Sequence, residues 1–152
     1  MTPEEKLQAM GLTLPNVPTP VANYVPFKLD GKTFYISGQG PRKPEGGYHT
    51  GKVGGDVTVE QAYEHAKIAG LGLLAVAKLA AGDLSRVEVL KVLAMVNGVP
   101  EFGEQPKVIN GCSDLLVEVL GERGRHARSA VGMGSLPHNM TVEIEAIMRI
   151  VD

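Results

Sequence analysis

The chain has 152 residues, a formal net charge of −2 and a single cysteine. This length favours one domain, residues 1–152, with a hydrophobic core of its own. The near-neutral charge provides no field that would attract a polyanion, so nucleic acid is not expected as a partner. A lone cysteine also excludes an internal disulfide and a thiolate metal cluster.

The sequence also indicates where the protein works. Residues 1–10 are too polar for a signal peptide, and the longest apolar run, residues 70–77, is too short to cross a bilayer. A single cysteine fits a reducing compartment. We therefore expect a cytoplasmic protein without membrane partners.

A short helix is predicted at the N terminus. Thr2 can accept a hydrogen bond from the first turn, Pro3 suits the first helical position, and Gly11 ends the helix. A hairpin follows, because residues 24–29 and 32–37 alternate apolar and polar side chains. Asp30-Gly31 between them is typical of the two-residue turn in a tight hairpin.

A glycine-rich loop and a long helix come next. Residues 38–56 show no periodicity, and loops of this length are often functional. Thr58 and Gln61 form the pattern of a capping box, which predicts a helix that runs to about Ala81 and ends at Gly82. Small residues at helical spacing predict that this helix lies close to a sheet.

The most apolar strand is predicted at residues 86–97. The alternation assigns Val87, Val89, Leu93 and Met95 to one face and Leu90, Val92, Ala94 and Val96 to the other. A strand that is apolar on both faces needs cover on both. A second helix, from Pro106 to about Leu120, covers one face with a stripe that includes Cys112.

The predicted fold class is therefore α+β, a β-β-α-β-α-β-β mixed sheet with both helices on one face. We expect a second copy of the chain to cover the other face.

Two C-terminal strands flank a turn that contains Pro137. In residues 142–150 every second residue is apolar, which predicts a strand with one face on the core. The pattern places Arg128 and Glu143 in adjacent strands, and this pair is our candidate for the chemistry. The alternative is an ordinary cross-strand ion pair on a solvated face.

Other motifs give no site. Gly46 and Gly51-Lys52 have the spacing of a phosphate loop, but Val53 stands where a metal-binding Ser or Thr is required. The four histidines share no ligand spacing, so no metal site is predicted.

Six segments together resemble the RidA/YjgF family of reactive imine deaminases, also called endoribonuclease L-PSP. The resemblance runs from about residue 20 to the end and leaves residues 1–18 as an N-terminal extension. The segments are Tyr24-Val25, Tyr35-Ile36-Ser37-Gly38-Gln39, Asn110, Ala127-Arg128-Ser129, Leu136-Pro137 and Val142-Glu143-Ile144-Glu145-Ala146-Ile147.

The resemblance implies the fold of the bacillus-type chorismate mutase, assembled as a homotrimer. The three sheets would pack into a central barrel, with ligand clefts between neighbouring subunits. That assembly would cover the second face of the apolar strand.

The resemblance also implies a reaction, the hydrolysis of imines or enamines from amino-acid metabolism to 2-keto acids and ammonia, without metal or cofactor. By position, Arg128 would hold the substrate carboxylate and Glu143 would orient the attacking water. The ligand, a small 2-imino or 2-keto acid, would also contact Tyr24, Ser37, Gly38, Asn110 and Ala130.

The chain departs from the better-known branch of that family. Ala130 stands where a cysteine is often found, and Gly124-Arg125-His126 replaces the usual segment before the arginine. Two alternatives therefore stay open. One is a non-catalytic module that binds a small carboxylate as a signal, and the other is an endoribonuclease or translation inhibitor.

Overall fold

The computed structural model describes residues 1–19 and 22–152 and shows an α+β fold. The element order after the N-terminal helix is β-β-α-β-α-β-β, which confirms the predicted order. The elements are α1 Pro3–Ala9, β1 Phe27–Asp30, β2 Thr33–Gln39, α2 Val59–Ala81, β3 Val87–Asn97, α3 Gln105–Leu120, β4 Ala127–Met133 and β5 Val142–Ile150.

The five strands form one mixed sheet in the order β1-β2-β5-β3-β4. Strands β3 and β4 are parallel because α3 connects them, and the other neighbours are antiparallel. Strand β5 returns between β2 and β3. The prediction that Arg128 and Glu143 occupy adjacent strands is therefore wrong, since β3 lies between β4 and β5.

The hairpin turn lies one residue later than predicted. Asp30 pairs with Thr33, so the two turn residues are Gly31 and Lys32. Gly31 has a φ of 64°. The turn forms at this residue because glycine adopts a positive φ without steric cost. The first strand begins at Phe27 instead of residue 24, directly after Pro26.

The predicted faces of β3 are also wrong at its first half. An extra residue, Leu90, interrupts the pairing with β5 and shifts the alternation by one. Val87 and Val89 consequently share the buried, helix-covered face with the second half of the strand. That face consists of Val87, Val89, Val92, Ala94 and Val96.

Helices α2 and α3 cover one face of the sheet, as predicted. The capping box at Thr58 and Gln61 is present, and Gly82 follows the last residue of α2 with a φ of 85°. Gly111 lets the two helices approach closely, because a β-carbon there would meet the backbone of Tyr63, with the carbonyl carbon 2.9 Å away. No helix in the described ranges is long and apolar enough to cross a membrane.

The opposite face of the sheet is open in the protomer. Tyr35, Val131 and Met133 are 46%, 37% and 36% exposed on it. Leu93 and Met95 of β3 are half-buried there. The second face that the sequence predicted to need cover therefore carries exposed apolar side chains together with Glu143 and Glu145 of β5, and the chain itself leaves it uncovered.

The N-terminal segment packs on the helical layer. Leu7 of α1 is buried. The Glu4 carboxylate accepts a 3.1 Å hydrogen bond from the Leu84 backbone N–H and lies 3.6 Å from the Lys78 ammonium. These contacts fix α1 against the end of α2, so the residues after α1 run along the body of the fold.

Candidate ligand-binding site

Strand β2 bulges at Ser37 and Gly38. The pairing advances three residues along β2, from Ile36 to Gln39, while it advances two along β5. Bulges re-aim the backbone and are common beside binding sites. The Ser37 hydroxyl donates a 2.6 Å hydrogen bond to the carbonyl of Val25, which ties the bulge to the segment before β1.

The carboxylate of Glu143 lies on the open face of β5, directly against this bulge. A β-carbon on Gly38 would collide with it, since the carboxyl carbon would be 3.0 Å away. Burial, and secondly the charge of Glu145, raise the pKa of Glu143 above its ordinary value. The bulge therefore holds a half-buried carboxyl group that retains its proton to a higher pH than an exposed one.

A cavity of about 200 Å³ opens beside the bulge. Three predicted ligand-binding residues, Tyr24, Ser37 and Gly38, line it. Two residues that the sequence did not single out, Arg42 and Tyr48, line it as well. Glu143 touches Gly38 without lining the cavity itself. We call Tyr24, Ser37, Gly38 and Glu143 the glutamate group.

Arg128 lies on the edge strand β4 and reaches towards α3. Its Nη1 donates to the Ser113 hydroxyl at 3.0 Å and its Nη2 to the Pro106 carbonyl at 3.3 Å. Val92, its neighbour in register, is buried under the helices, so the Arg128 side chain lies on the helix-covered face. Within residues 1–19 and 22–152 it forms no ion pair. A half-buried guanidinium with neutral partners keeps the capacity to bind an anion.

Asn110 and Ala130 lie in the same region as Arg128. Asn110 is exposed on α3, at helical spacing between Pro106 and Ser113, the two residues that Arg128 contacts. Ala130 follows two residues after Arg128 on β4 and packs half-buried against the core. We call Asn110, Arg128 and Ala130 the arginine group.

A hydrogen-bonded chain stands behind the Arg128 guanidinium. The Nδ1 of His126 is 2.7 Å from the Gly124 carbonyl, and a carbonyl only accepts, so Nδ1 carries the proton. Its Nε2, 2.9 Å from the Ser113 hydroxyl, then accepts the hydroxyl proton. The hydroxyl oxygen is free to accept from Arg128. Burial lowers the pKa of His126; the bond to Gly124 opposes this change, and the charge of Arg128 adds to it. The lowered pKa favours the neutral ring.

The two groups are separate within one protomer. Strands β5 and β3 lie between β2 and β4, so the bulge and Arg128 are three strand spacings apart, about 14 Å. Arg128 extends over the helix-covered face, whereas Glu143 is on the open one. One small carboxylate therefore cannot contact both residues in the same protomer, and the two do not form the ordinary ion pair considered above.

Potential metal ligands do not converge in the described part of the chain. His, Cys, Asp and Glu side chains form no group of three or more there that could hold an ion. His49 and His65 are the nearest approach to one. Their rings stack, with centroids 4.3 Å apart and planes inclined by 18°. Because the nitrogen lone pairs lie in the ring planes, the two stacked rings do not direct them to one shared position.

Comparison with known proteins agrees with the fold. Residues 4–147 match the family model described as "YjgF/chorismate_mutase-like, putative endoribonuclease". The chain belongs to the YjgF/RidA family. It is 40% identical to Protein TCP17 of Trypanosoma cruzi over 95% of this chain and 91% of that one.

Two solved structures of the family superpose on nearly the whole chain. The protein Atu1372 from Agrobacterium tumefaciens is 48% identical, with a TM-score of 0.90 over 98% of this chain and 94% of that one. A structure from Shewanella oneidensis, whose name is "putative endoribonuclease", is 34% identical, with a TM-score of 0.93 over 98% and 99%. The family match begins at residue 4 and so includes α1, which the sequence resemblance left outside.

The YjgF/RidA resemblance did not point to four residues that shape these groups. Ser113 and His126 support Arg128, and Arg42 and Tyr48 line the cavity beside Gly38. The replacement of the segment before Arg128 by Gly124-Arg125-His126 was the only available signal for His126. No local pattern links Ser113 to Arg128, because the contact joins a helix to a strand 15 residues away.

Proposed function

We propose that the protein is a homotrimeric deaminase of small 2-imino acids or their enamines, with its sites between subunits. The observation that carries the proposal is the separation of the glutamate and arginine groups within one protomer. The glutamate group offers a carboxyl group, and the arginine group offers a cation that forms no ion pair within the described residues. A neighbouring protomer would bring the arginine group of one chain to the glutamate group of the next.

The open sheet face supports the assembly. It exposes Tyr35, Val131 and Met133 together with half-buried apolar residues of β3. Exposed apolar side chains grouped on one sheet face, here interspersed with Glu143 and Glu145 of β5, are typical of a protein–protein contact surface. Packing three such faces around an axis would bury them and bring edge strand β4 of one protomer near the next, where Arg128 could reach a shared ligand.

The chemistry requires few groups. The guanidinium of Arg128 would bind the substrate carboxylate at two points and fix the C=N carbon. Glu143 in its ionised form would accept a hydrogen bond from water and draw off its proton as the oxygen attacks that carbon. The C=N electron pair passes to nitrogen, which takes up the proton that Glu143 accepted. As the carbinolamine collapses, the hydroxyl proton passes through Glu143 to nitrogen, the C–N bond breaks, the oxygen electron pair forms the keto C=O bond and ammonia leaves.

A trapping assay tests this reaction. A pyridoxal-phosphate-dependent dehydratase generates 2-iminobutanoate from threonine while semicarbazide competes for the free imine. The wild-type protein is expected to increase the yield of 2-oxobutanoate and ammonia at the expense of the semicarbazone. Arg128→Ala is expected to reduce the yield to the uncatalysed level, because the carboxylate is no longer held.

Arg125→Ala is the matched control, since this exposed arginine is three residues away and outside both groups. Sedimentation of both variants shows whether the trimer persists. Equal yields from the wild type and Arg128→Ala would refute the deaminase. Saturable binding of 2-oxobutanoate without turnover would instead favour a carboxylate-binding module.

A further inference from the structure

Arg42 is a second half-buried cation that forms no ion pair with the residues that the structure describes. Its Nη1 donates to the carbonyl of Asn16 at 3.3 Å and its Nη2 to the Oε1 of Gln39 at 3.3 Å. Both partners are neutral, and no carboxylate of the described residues forms an ion pair with it. Arg42 also lines the 200 Å³ cavity next to Ser37 and Gly38. Two of its five N–H groups are used by the protein, so donors remain for a ligand.

The surroundings of Arg42 hold the guanidinium in place. Gln39 is 8% exposed, and its Nε2 donates to the Ser37 carbonyl at 3.0 Å, which orients its Oε1 towards the arginine. Gly72 of α2 leaves room for both side chains, since a β-carbon there would be 2.9 Å from the Gln39 oxygen and 3.4 Å from the Arg42 nitrogen. A side chain fixed from two sides loses little entropy when it binds a ligand.

The N-terminal extension contributes one of these supports. Asn16 accepts the hydrogen bond from Arg42, and the next residues, Val17, Pro18 and Thr19, form a wall of the cavity. The extension thus closes the side of the cavity on which the arginine lies. Glu143 contacts the bulge at Gly38, and Lys43 adds a positive charge next to Arg42 in the chain.

We propose that Arg42 binds a second anionic group of the substrate, so that the preferred class is 2-imino acids with a side-chain carboxylate. The proposal rests on the proposed function for the first carboxylate, which Arg128 of another protomer would hold. A half-buried cation near a cavity is destabilised unless an anion or water solvates it, and a carboxylate suits its planar fork. The cavity of about 200 Å³ has room for a short acidic side chain.

Titration calorimetry on the full chain tests the assignment with two keto-acid products. 2-Oxobutanoate carries one carboxylate and 2-oxoglutarate carries two. The wild type is expected to bind 2-oxoglutarate about tenfold more tightly than 2-oxobutanoate at low salt, as one charge-assisted contact allows. Arg42→Gln is expected to abolish the preference, so that its affinities for 2-oxoglutarate and 2-oxobutanoate become equal. Arg42→Lys should restore part of the preference, because lysine retains the positive charge but lacks the planar guanidinium.

Arg125→Gln removes the same charge at an exposed position and is expected to preserve the preference. The inference is overturned if Arg42→Gln keeps the wild-type ratio, or if the wild type binds the two keto acids equally or binds neither. If the protein bound 2-oxoglutarate through Arg42 but never released ammonia from an imine, Arg42 would still be a carboxylate-binding residue and the deaminase would be refuted. The two failures are therefore distinguishable.

Discussion

The carboxylate of Glu143 occupies the space that a β-carbon on Gly38 would need, at the point where strand β2 bulges against β5. The contact joins residues more than 100 positions apart and depends on the absence of a side chain at Gly38. It also joins the cavity lining to the only predicted catalytic carboxyl group. The position of Glu143 is thus set by backbone geometry on a neighbouring strand.

Gly38→Ala is expected to displace the Glu143 carboxylate by about the radius of a methyl group. A shift of this size at a group that orients water typically costs ~100-fold in rate, so imine hydrolysis in the trapping assay should fall by about tenfold to 100-fold. The backbone at Gly38 is not in the left-handed region, so the fold itself should tolerate alanine.

Gly103→Ala is the control for that substitution, because nothing lies within 4 Å of a β-carbon at that glycine and its φ is also not positive. It is expected to leave the rate unchanged. If both alanine variants hydrolysed the imine at the wild-type rate, the contact between Glu143 and Gly38 would have no part in the reaction.

Local signals were sufficient to predict the helices. Thr58, Gln61 and Gly82 define both ends of α2 because capping depends on residues within one turn of each other. The strand neighbours and the two bulges were not predictable in this way. Whether β5 pairs with β3 or β4, and whether Leu90 is an extra residue, depends on packing between distant segments.

The candidate site also combines features that local sequence patterns predict with features that depend on contacts between distant segments. The strand pattern singled out Arg128 and Glu143 and placed them side by side because they flank one turn, and the family resemblance implied their roles. The structure separates them by a strand. Neither Ser113 nor His126 was assigned a role from the sequence, since a serine on an apolar helix and a histidine before a strand have no shared pattern until the fold joins them.

Ser113→Ala is expected to weaken substrate binding more than turnover. The hydroxyl links Arg128 to His126, so its loss frees the guanidinium to adopt other rotamers. One hydrogen bond from a charged guanidinium corresponds to about a tenfold or larger rise in KM, with kcat less affected. Steady-state kinetics with a dehydratase-generated imine measure both constants.

Ser113→Thr keeps the hydroxyl and should restore most of the affinity, whereas Ser135→Ala, at an exposed turn position, should change neither constant. A KM equal to that of the wild type in Ser113→Ala would show that the chain from Gly124 to Arg128 does not position the arginine.

Glu145→Gln is expected to shift the acid limb of the pH–rate profile to lower pH. Burial and the charge of Glu145 raise the pKa of Glu143, and the substitution removes the second cause. The reaction uses Glu143 ionised, so activity rises as pH passes its pKa, and a lower pKa moves that rise downward. Profiles of kcat/KM against pH measure the shift, with Glu101→Gln as an exposed control. Identical acid limbs in all three proteins would rule out coupling between the two carboxyl groups.

His65 should make the protein less stable in mild acid. Burial, and secondly the adjacent His49, lower the pKa of His65 from 6.5 to about 4, while its Nδ1 is 2.9 Å from the buried Thr141 hydroxyl. Between these two values the unfolded chain binds a proton that the folded chain does not. The free energy of unfolding therefore falls as pH decreases from 6.5 towards 4. His65→Gln can still bond to Thr141 but cannot be charged. Urea unfolding near pH 5 and pH 7.5 is expected to show a smaller loss of stability in this variant than in the wild type, and equal losses would exclude His65 as a source of the acid sensitivity.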